Sequence, residues 1–510
     1  MTRHRKTSDY PSDYQSDYQS DYRGSDDVLD LDPSFLARLD RVIKNLLFSL
    51  IALTALTFGT VEYWAVALFS LIVILLFLIW GIKSFFVRKF RLIFPLPLLP
   101  LLIPIGYGLF QAIPRVDSLG RHWTLSMDPE VTWQVVEVMA ILLVATFMMG
   151  NLIGSRHRLL GLRNFLIAFG LIYSVFSLIN HFSWNGRYFW IFQPSLTPSH
   201  PFGSFVNHNH FAGYVEMLAP IPLALVVTRT VRGEMGLING FATAMMGIAT
   251  IVSLSRGGML SMLSGLMLVV LLGLRPTTMG LPAGDTLRRF PLMLSRFLAA
   301  LVIIVTISIG VIWVGADGVI ERLGVDSSLV SEEDSSNSSA AGAALYQSRG
   351  FIWSDTVRMI RANWLFGVGL GAYQTAYPIY SQRDRFHLVG QAHNDYLQVL
   401  ADGGIICAIA VFAFLVLLVR YARRAINHPD PVLASLAIGC TGGVFAMLVH
   451  SLFDFNLQLI SNSLLFLTLS MVIWRIGYSS MNRGVSNGLI SSARIVEEDR
   501  LTLLDMEVWS

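Results

Sequence analysis

Residues 236–274 read GLINGFATAMMGIATIVSLSRGGMLSMLSGLMLVVLLGL. Two apolar runs, 236–254 and 257–274, are joined by the polar turn Ser253-Leu254-Ser255-Arg256-Gly257-Gly258. Crossing roughly 30 Å of hydrocarbon takes about 20 helical residues, so each run is long enough to span a bilayer. Outward from this pair, comparable runs recur at 42–58, 62–80, 93–113, 131–150, 163–181, 211–228, 297–315, 396–419, 433–452 and 460–475, giving 12 expected spans. Composition agrees. Of 510 residues 54% are hydrophobic and 14% charged, with mean hydropathy +0.58, whereas a soluble domain carries about 25% charged residues. The fold class expected is an all-α polytopic membrane protein.

The near balance of 37 basic and 34 acidic residues gives no reason to invoke nucleic acid, and placement of charge matters more than its sum. Lys83, Arg88, Lys89, Arg91, Arg156, Arg158, Arg163, Arg229, Arg232, Arg275, Arg288, Arg289, Arg296, Arg420, Arg423 and Arg424 lie in one alternating set of connections, against Arg115, Arg121, Arg187 and Arg256 in the other. Because Lys and Arg accumulate on the cytoplasmic side of short loops, both termini are expected in the cytoplasm, with two long connections outside, about 182–210 and 316–395. The second carries a Ser/Glu/Ala-rich stretch, 331–344, and then an amphipathic segment, Gln347 to Asn363, expected at or near the membrane surface. Residues 1–40, with four Ser-Asp-Tyr copies, read as a disordered cytoplasmic tail. The transmembrane domain is set at 41–480 and a second cytoplasmic tail at 481–510. Cys407 and Cys440 lie in apolar runs and form neither a disulfide framework nor a zinc site.

On this topology His208, Asn209, His210, Ser255, Arg256, Arg349, His393, Asn394, Asp395, His450 and Asp454 all fall at external span ends or in external loops. Ionisable groups at membrane depth cost about 2.5–3.5 kcal/mol on insertion scales and are functional candidates by default. Arg256 reads either as a snorkelling turn residue with Gly257-Gly258 making the bend, or as a fixed cation at the mouth of a bundle. His393 reads either as incidental to a helix cap made by Asn394 or Asp395, or as a general base on one helical face with Tyr396, Leu397 and Leu400, since imidazole is suited to taking a proton at neutral pH. His450 and Asp454, four apart, read as a structural or catalytic pair on one face. His208 and His210 have no recognised metal spacing, so no metal or cofactor is expected. Gly367-Val368-Gly369-Leu370-Gly371 lacks the strand and helix of a dinucleotide loop.

Five segments in chain order then carry a resemblance: Pro201 to Tyr214, Ser255-Arg256-Gly257-Gly258, Arg349-Gly350-Phe351-Ile352-Trp353 with Gly367 to Gly371, His393-Asn394-Asp395-Tyr396-Leu397, and His450 to Phe455. In these the chain resembles the bacterial O-antigen ligase and polymerase superfamily of membrane glycosyltransferases. The resemblance implies a GT-C-like fold in the bacterial inner membrane. It implies metal-independent transfer of a saccharide from an undecaprenyl-diphosphate carrier to an acceptor hydroxyl, on a lipid or a glycan, at the periplasmic face. By motif, Arg256 and Arg349 would hold the diphosphate and His393 would activate the acceptor. Asn207, His210, Asn394, Asp395, His450 and Asp454 would line the site, with Asp395 or Asp454 orienting His393. Polymerase and protein O-oligosaccharyltransferase activities share these motifs. A secondary transporter, the reading from another class, calls for inverted repeats and interrupted helices near the midplane, and no such pairing is visible in the sequence.

Overall fold

The computed structural model describes residues 33–86, 92–116, 118–192, 201–274, 349–382 and 389–481, with isolated helical positions between 291 and 305. Its helices, in chain order, are α1 (Pro33–Leu56), α2 (Tyr63–Phe86), α3 (Leu102–Ala112), α4 (Pro129–Leu152), α5 (Arg156–Phe182), α6 (His208–Leu218), α7 (Pro220–Val227), α8 (Gly233–Val252), α9 (Arg256–Gly273), α10 (Arg349–Ala362), α11 (Tyr373–Tyr380), α12 (Asp395–Ala425), α13 (Pro431–His450) and α14 (Ile460–Met481). A short antiparallel hairpin pairs Arg115 with Trp123 and Val116 with His122 between α3 and α4.

Among the described residues, nine helical segments are long and apolar enough to cross a membrane, with α6 and α7 joined as one. The expected 12 differ from these nine in three places. The run at 42–58 lies in α1, whose first half carries Asp40, Arg41 and Lys44. The run at 93–113 forms a short apolar segment, Leu96–Ala112. The run at 297–315 falls largely outside the described residues. The tails set at 1–40 and 481–510 and the stretch 331–344 also fall outside them, apart from residues 33–40, which are already helical, and Met481, which ends α14.

Polar caps begin the helices where the sequence leaves apolar runs. Asp128, Ser155, Asp430, Asn207, Ser255 and Asn394 each accept a main-chain N–H from the first turn that follows. Burial orders the bundle. α13 sits at its centre, where glycines replace side chains at the crossings: a Cβ at Gly439 would lie 2.7 Å from Ile221 Cα, one at Gly442 3.0 Å from Pro220 Cβ, and one at Gly265 of α9 2.8 Å from Ala446 Cβ. Small residues at such contacts let helix backbones approach closely where lipid offers no hydrophobic drive to associate. α2, apolar all round, exposes Leu71, Ile74, Leu75, Leu78 and Ile82 at the periphery.

α12 is interrupted at Gly404, which has φ 60° and ψ −160°. Loop 364–371 fills the break. Val368 N donates to Ala401 O, Gly369 N to Asp402 O and Gly371 N to Asp402 Oδ2, while Ile405 N donates to Trp364 O. The glycine-rich Gly367 to Gly371 run therefore spends these amides on α12, which is why it resembles a phosphate loop only in its letters.

Candidate active site

The first turns of α6, α9, α10 and α12 meet the turn that follows α13 at one end of the bundle, around the buried carboxylate of Asp454. His393 Nδ1 lies 3.0 Å from Asp454 Oδ1. Asn209 Nδ2 donates to Asp454 Oδ2 at 2.8 Å, and Arg349 Nη2 stands 3.7 Å from the same oxygen. Asn209 in turn accepts from Ser255 Oγ at 2.7 Å, and Ser255 caps α9, whose first residue is the exposed Arg256. Each of the five sequence segments singled out above thus contributes a residue to one cluster, four through hydrogen bonds and the Arg349 segment through an ion pair. At the opposite end of α5 and α13, Arg156 pairs with Asp430 at 2.6 Å, and Lys83 and Arg158 approach Asp40.

Asp454 is 1% exposed. Burial opposes its charge, but the hydrogen bond to His393 and the electrostatic interactions with His393, His210 and Arg349 outweigh it and hold the carboxyl well below the usual carboxylate range. An ionised Asp454 can only accept, so His393 Nδ1 carries its proton toward it and Nε2 is left as the acceptor. Phe455 packs edge-on against the His393 ring, with centroids 5.0 Å apart, and fixes its plane from the side. The His393 side chain remains one-third exposed, open to a reactant.

His393 is not on a helical face with Tyr396, Leu397 and Leu400. It precedes α12 in a left-handed conformation, φ 48°, and Asn394 makes the cap, accepting from Tyr396 N and Leu397 N at 3.0 Å each. Asn394 Nδ2 also donates to Leu452 O at 3.0 Å, tying α12 to the Asp454 turn. Asn394→Ala is expected to remove about 1 kcal/mol of stability, the usual worth of such a cap. A thermal melt of the purified protein in detergent checks this.

Asp395 does not touch His393. It accepts from Ser451 Oγ at 2.8 Å and Leu457 N at 3.2 Å, holding the same turn from below. Nor does His450 pair with Asp454 through its ring: its Nδ1 faces Glu216 of α6, 3.0 Å away. Asn207 is the cap of α6. His210 is buried with its ring edge-on to Phe455, centroids 4.9 Å apart. Gly257 and Gly258 lie inside the first turn of α9, so they do not make the bend; the chain turns at Leu254, φ 58°. Glu216 escaped the sequence reading, although its signal was present as the only acid in the apolar run 211–228. Among the described residues no group of three or more His, Cys, Asp or Glu is placed to hold a metal ion.

Comparison with curated proteins gives no match. Residues 241–412 match the family model described as O-antigen ligase, a segment that holds Ser255, Arg256, Arg349 and His393, and this match supports a relation to the O-antigen ligase superfamily.

Proposed function

We propose that this multi-pass membrane protein, whose family suggests an O-antigen ligase-like glycosyltransferase, transfers a saccharide from an undecaprenyl-diphosphate-linked donor to an acceptor hydroxyl at the periplasmic face, without a metal. Both termini then lie in the cytoplasm. The observation that carries the reading is the His393–Asp454 pair with Arg349 on the second carboxylate oxygen. In this reading His393 is the oriented base and Arg349 the fixed cation, both held on one carboxylate.

The chemistry follows from location. A site outside the cytoplasm has no supply of nucleotide sugars, so its donor arrives already activated, and a lipid diphosphate meets that need. The acceptor oxygen attacks the anomeric carbon, its proton passes to His393 Nε2, and the bond from that carbon to the phosphate oxygen breaks, with the electron pair leaving on the diphosphate. Guanidinium groups of Arg256 and Arg349 stabilise the growing negative charge in bidentate fashion without reorganising. A base positioned for the proton contributes typically 10²–10⁴ in rate.

Incubation of the purified protein with an undecaprenyl-diphosphate-linked saccharide and candidate acceptors, lipid A-core among them, tests the proposal by product analysis. Release of free diphosphate carrier without a glycosylated acceptor goes against it. Extension of the donor's own glycan identifies the polymerase variant instead. Arg256→Lys keeps the charge but loses the fork. It is expected to raise the donor KM about ten- to a hundred-fold, the range of a hydrogen bond to a charged group. Unchanged turnover and KM with Lys would mean that charge alone suffices.

A further inference from the structure

A second histidine–carboxylate pair lies beneath the first. Glu216 stands seven residues after Asn209 and so shares its face of α6. Its carboxylate oxygens are 3.1 and 3.0 Å from His450 Nδ1, and both side chains are buried. α6 therefore holds the end of α13 at two levels, Asn209 to Asp454 at the site and Glu216 to His450 below it.

The far edge of the His450 ring faces α9. A Cβ at Gly257 would lie 3.1 Å from His450 Nε2, 3.2 Å from its Cδ2 and 3.5 Å from Phe453 Cβ, and Gly257 directly follows Arg256. The His450 carbonyl meanwhile accepts from Phe453 N at 2.7 Å and Asp454 N at 3.1 Å. One residue thus abuts the Arg256 turn through its ring and builds the Asp454 turn through its backbone. A buried polar pair adds little net stability over apolar packing, whereas losing one partner is costly. Its worth here is geometric.

We propose that Glu216 and His450 are positioning residues that fix the Ser255-Arg256-Gly257 turn against the Asp454 turn, setting the spacing between the Arg256 cation and the His393 base. Neither touches substrate. The kinetic arm of the test rests on the glycosyl transfer proposed above; the structural arm does not.

Amide hydrogen exchange on the full chain in lipid nanodiscs provides the structural arm. Glu216→Ala is expected to raise exchange at residues 255–258 and 452–455 about ten-fold or more, as local opening becomes easier, while Glu216→Gln, which keeps an acceptor oxygen for Nδ1, retains most of the protection. Unchanged protection in Glu216→Ala overturns the proposal. Should that variant fail to fold, Gly257→Ala takes its place, because its methyl pushes the imidazole while leaving both partners present.

In the kinetic arm, Gly257→Ala and His450→Asn are each expected to raise the donor KM about ten-fold with kcat within about two-fold. The double variant should be no worse than the worse single one, since both act on the same contact. Multiplying effects, or a loss confined to kcat, overturns the assignment. If the unaltered protein transfers no saccharide, the proposed reaction fails, and the exchange data alone decide the positioning role.

Discussion

His393→Ala is expected to lower kcat about 10²–10⁴-fold, the contribution of a well-placed base, with little change in donor KM because Arg256 and Arg349 remain. Alanine alone is an ambiguous probe at this position. The His393 backbone has φ 48°, a left-handed conformation that Ala adopts reluctantly and Asn, like His, tolerates better. A loss of activity in His393→Ala could therefore come from a displaced α12 cap as well as from the missing imidazole. His393→Asn separates the two causes, since it suits the backbone and supplies no base. Both variants are expected to show this fall in kcat and to melt within a few degrees of the unaltered protein, with Asn the more stable. An active His393→Asn enzyme would show that the backbone conformation, not the imidazole, was the requirement.

How far the sequence reading reached depends on the kind of order involved. Spacing of apolar runs and the side preference of Lys and Arg carry information along the whole chain, so Asn209, Ser255, Arg349, His393 and Asp454 could be assigned to one side before any contact was known. That side of the bundle is where they meet. Pairing inside the cluster was beyond such reasoning. The rule that residues four apart share a face holds within a helix, and α13 ends at His450, so Asp454 lies past the reach of the rule and His450 is free to turn toward Glu216. In the same way, Asn394 ends the regular pattern one residue after His393. Asp395 and Asp454 looked interchangeable as partners for the imidazole. Only the turn between α13 and α14, which commits Asp395 to Ser451 and Leu457, decides between them. The interruption of α12 was hidden for a related reason. Gly403-Gly404 in an apolar run is ordinary until loop 364–371, more than thirty residues earlier in the chain, fills the gap.

Asp454→Asn is expected to be as damaging as loss of His393, for reasons visible in its four neighbours. On the Oδ1 side stand His393 Nδ1 and Phe455 N, at 3.0 and 2.9 Å; on the Oδ2 side stand Asn209 Nδ2 and a guanidinium nitrogen of Arg349, at 2.8 and 3.7 Å. With His393 in the tautomer that leaves Nε2 free, all four are donors. A carboxylate accepts from His393, Phe455 and Asn209 and pairs by charge with Arg349. An amide has one oxygen and one NH₂ group, and neither orientation satisfies the set. If the NH₂ faces Asn209 and Arg349, donors oppose donors and the links to α6 and α10 break. If it faces His393, Nδ1 must become the acceptor, the ring proton moves to Nε2, and the base is lost. Either outcome predicts a fall in kcat of about 10²–10⁴ and a stability loss of about 1–3 kcal/mol from a buried unmatched donor. The pH dependence gives an independent reading. Because the Asp454 carboxyl is held below its ordinary value in the folded protein, it contributes stability that is present above the unfolded carboxylate pKa of about 3.9 and is lost as pH falls toward the folded value. The amide that replaces it does not titrate, so the variant is expected to show a shallower decline of thermal midpoint on acidification below about pH 4 than the unaltered protein. Parallel acid limbs for the two proteins, or an Asp454→Asn enzyme with normal kcat, would remove Asp454 from the centre of the site.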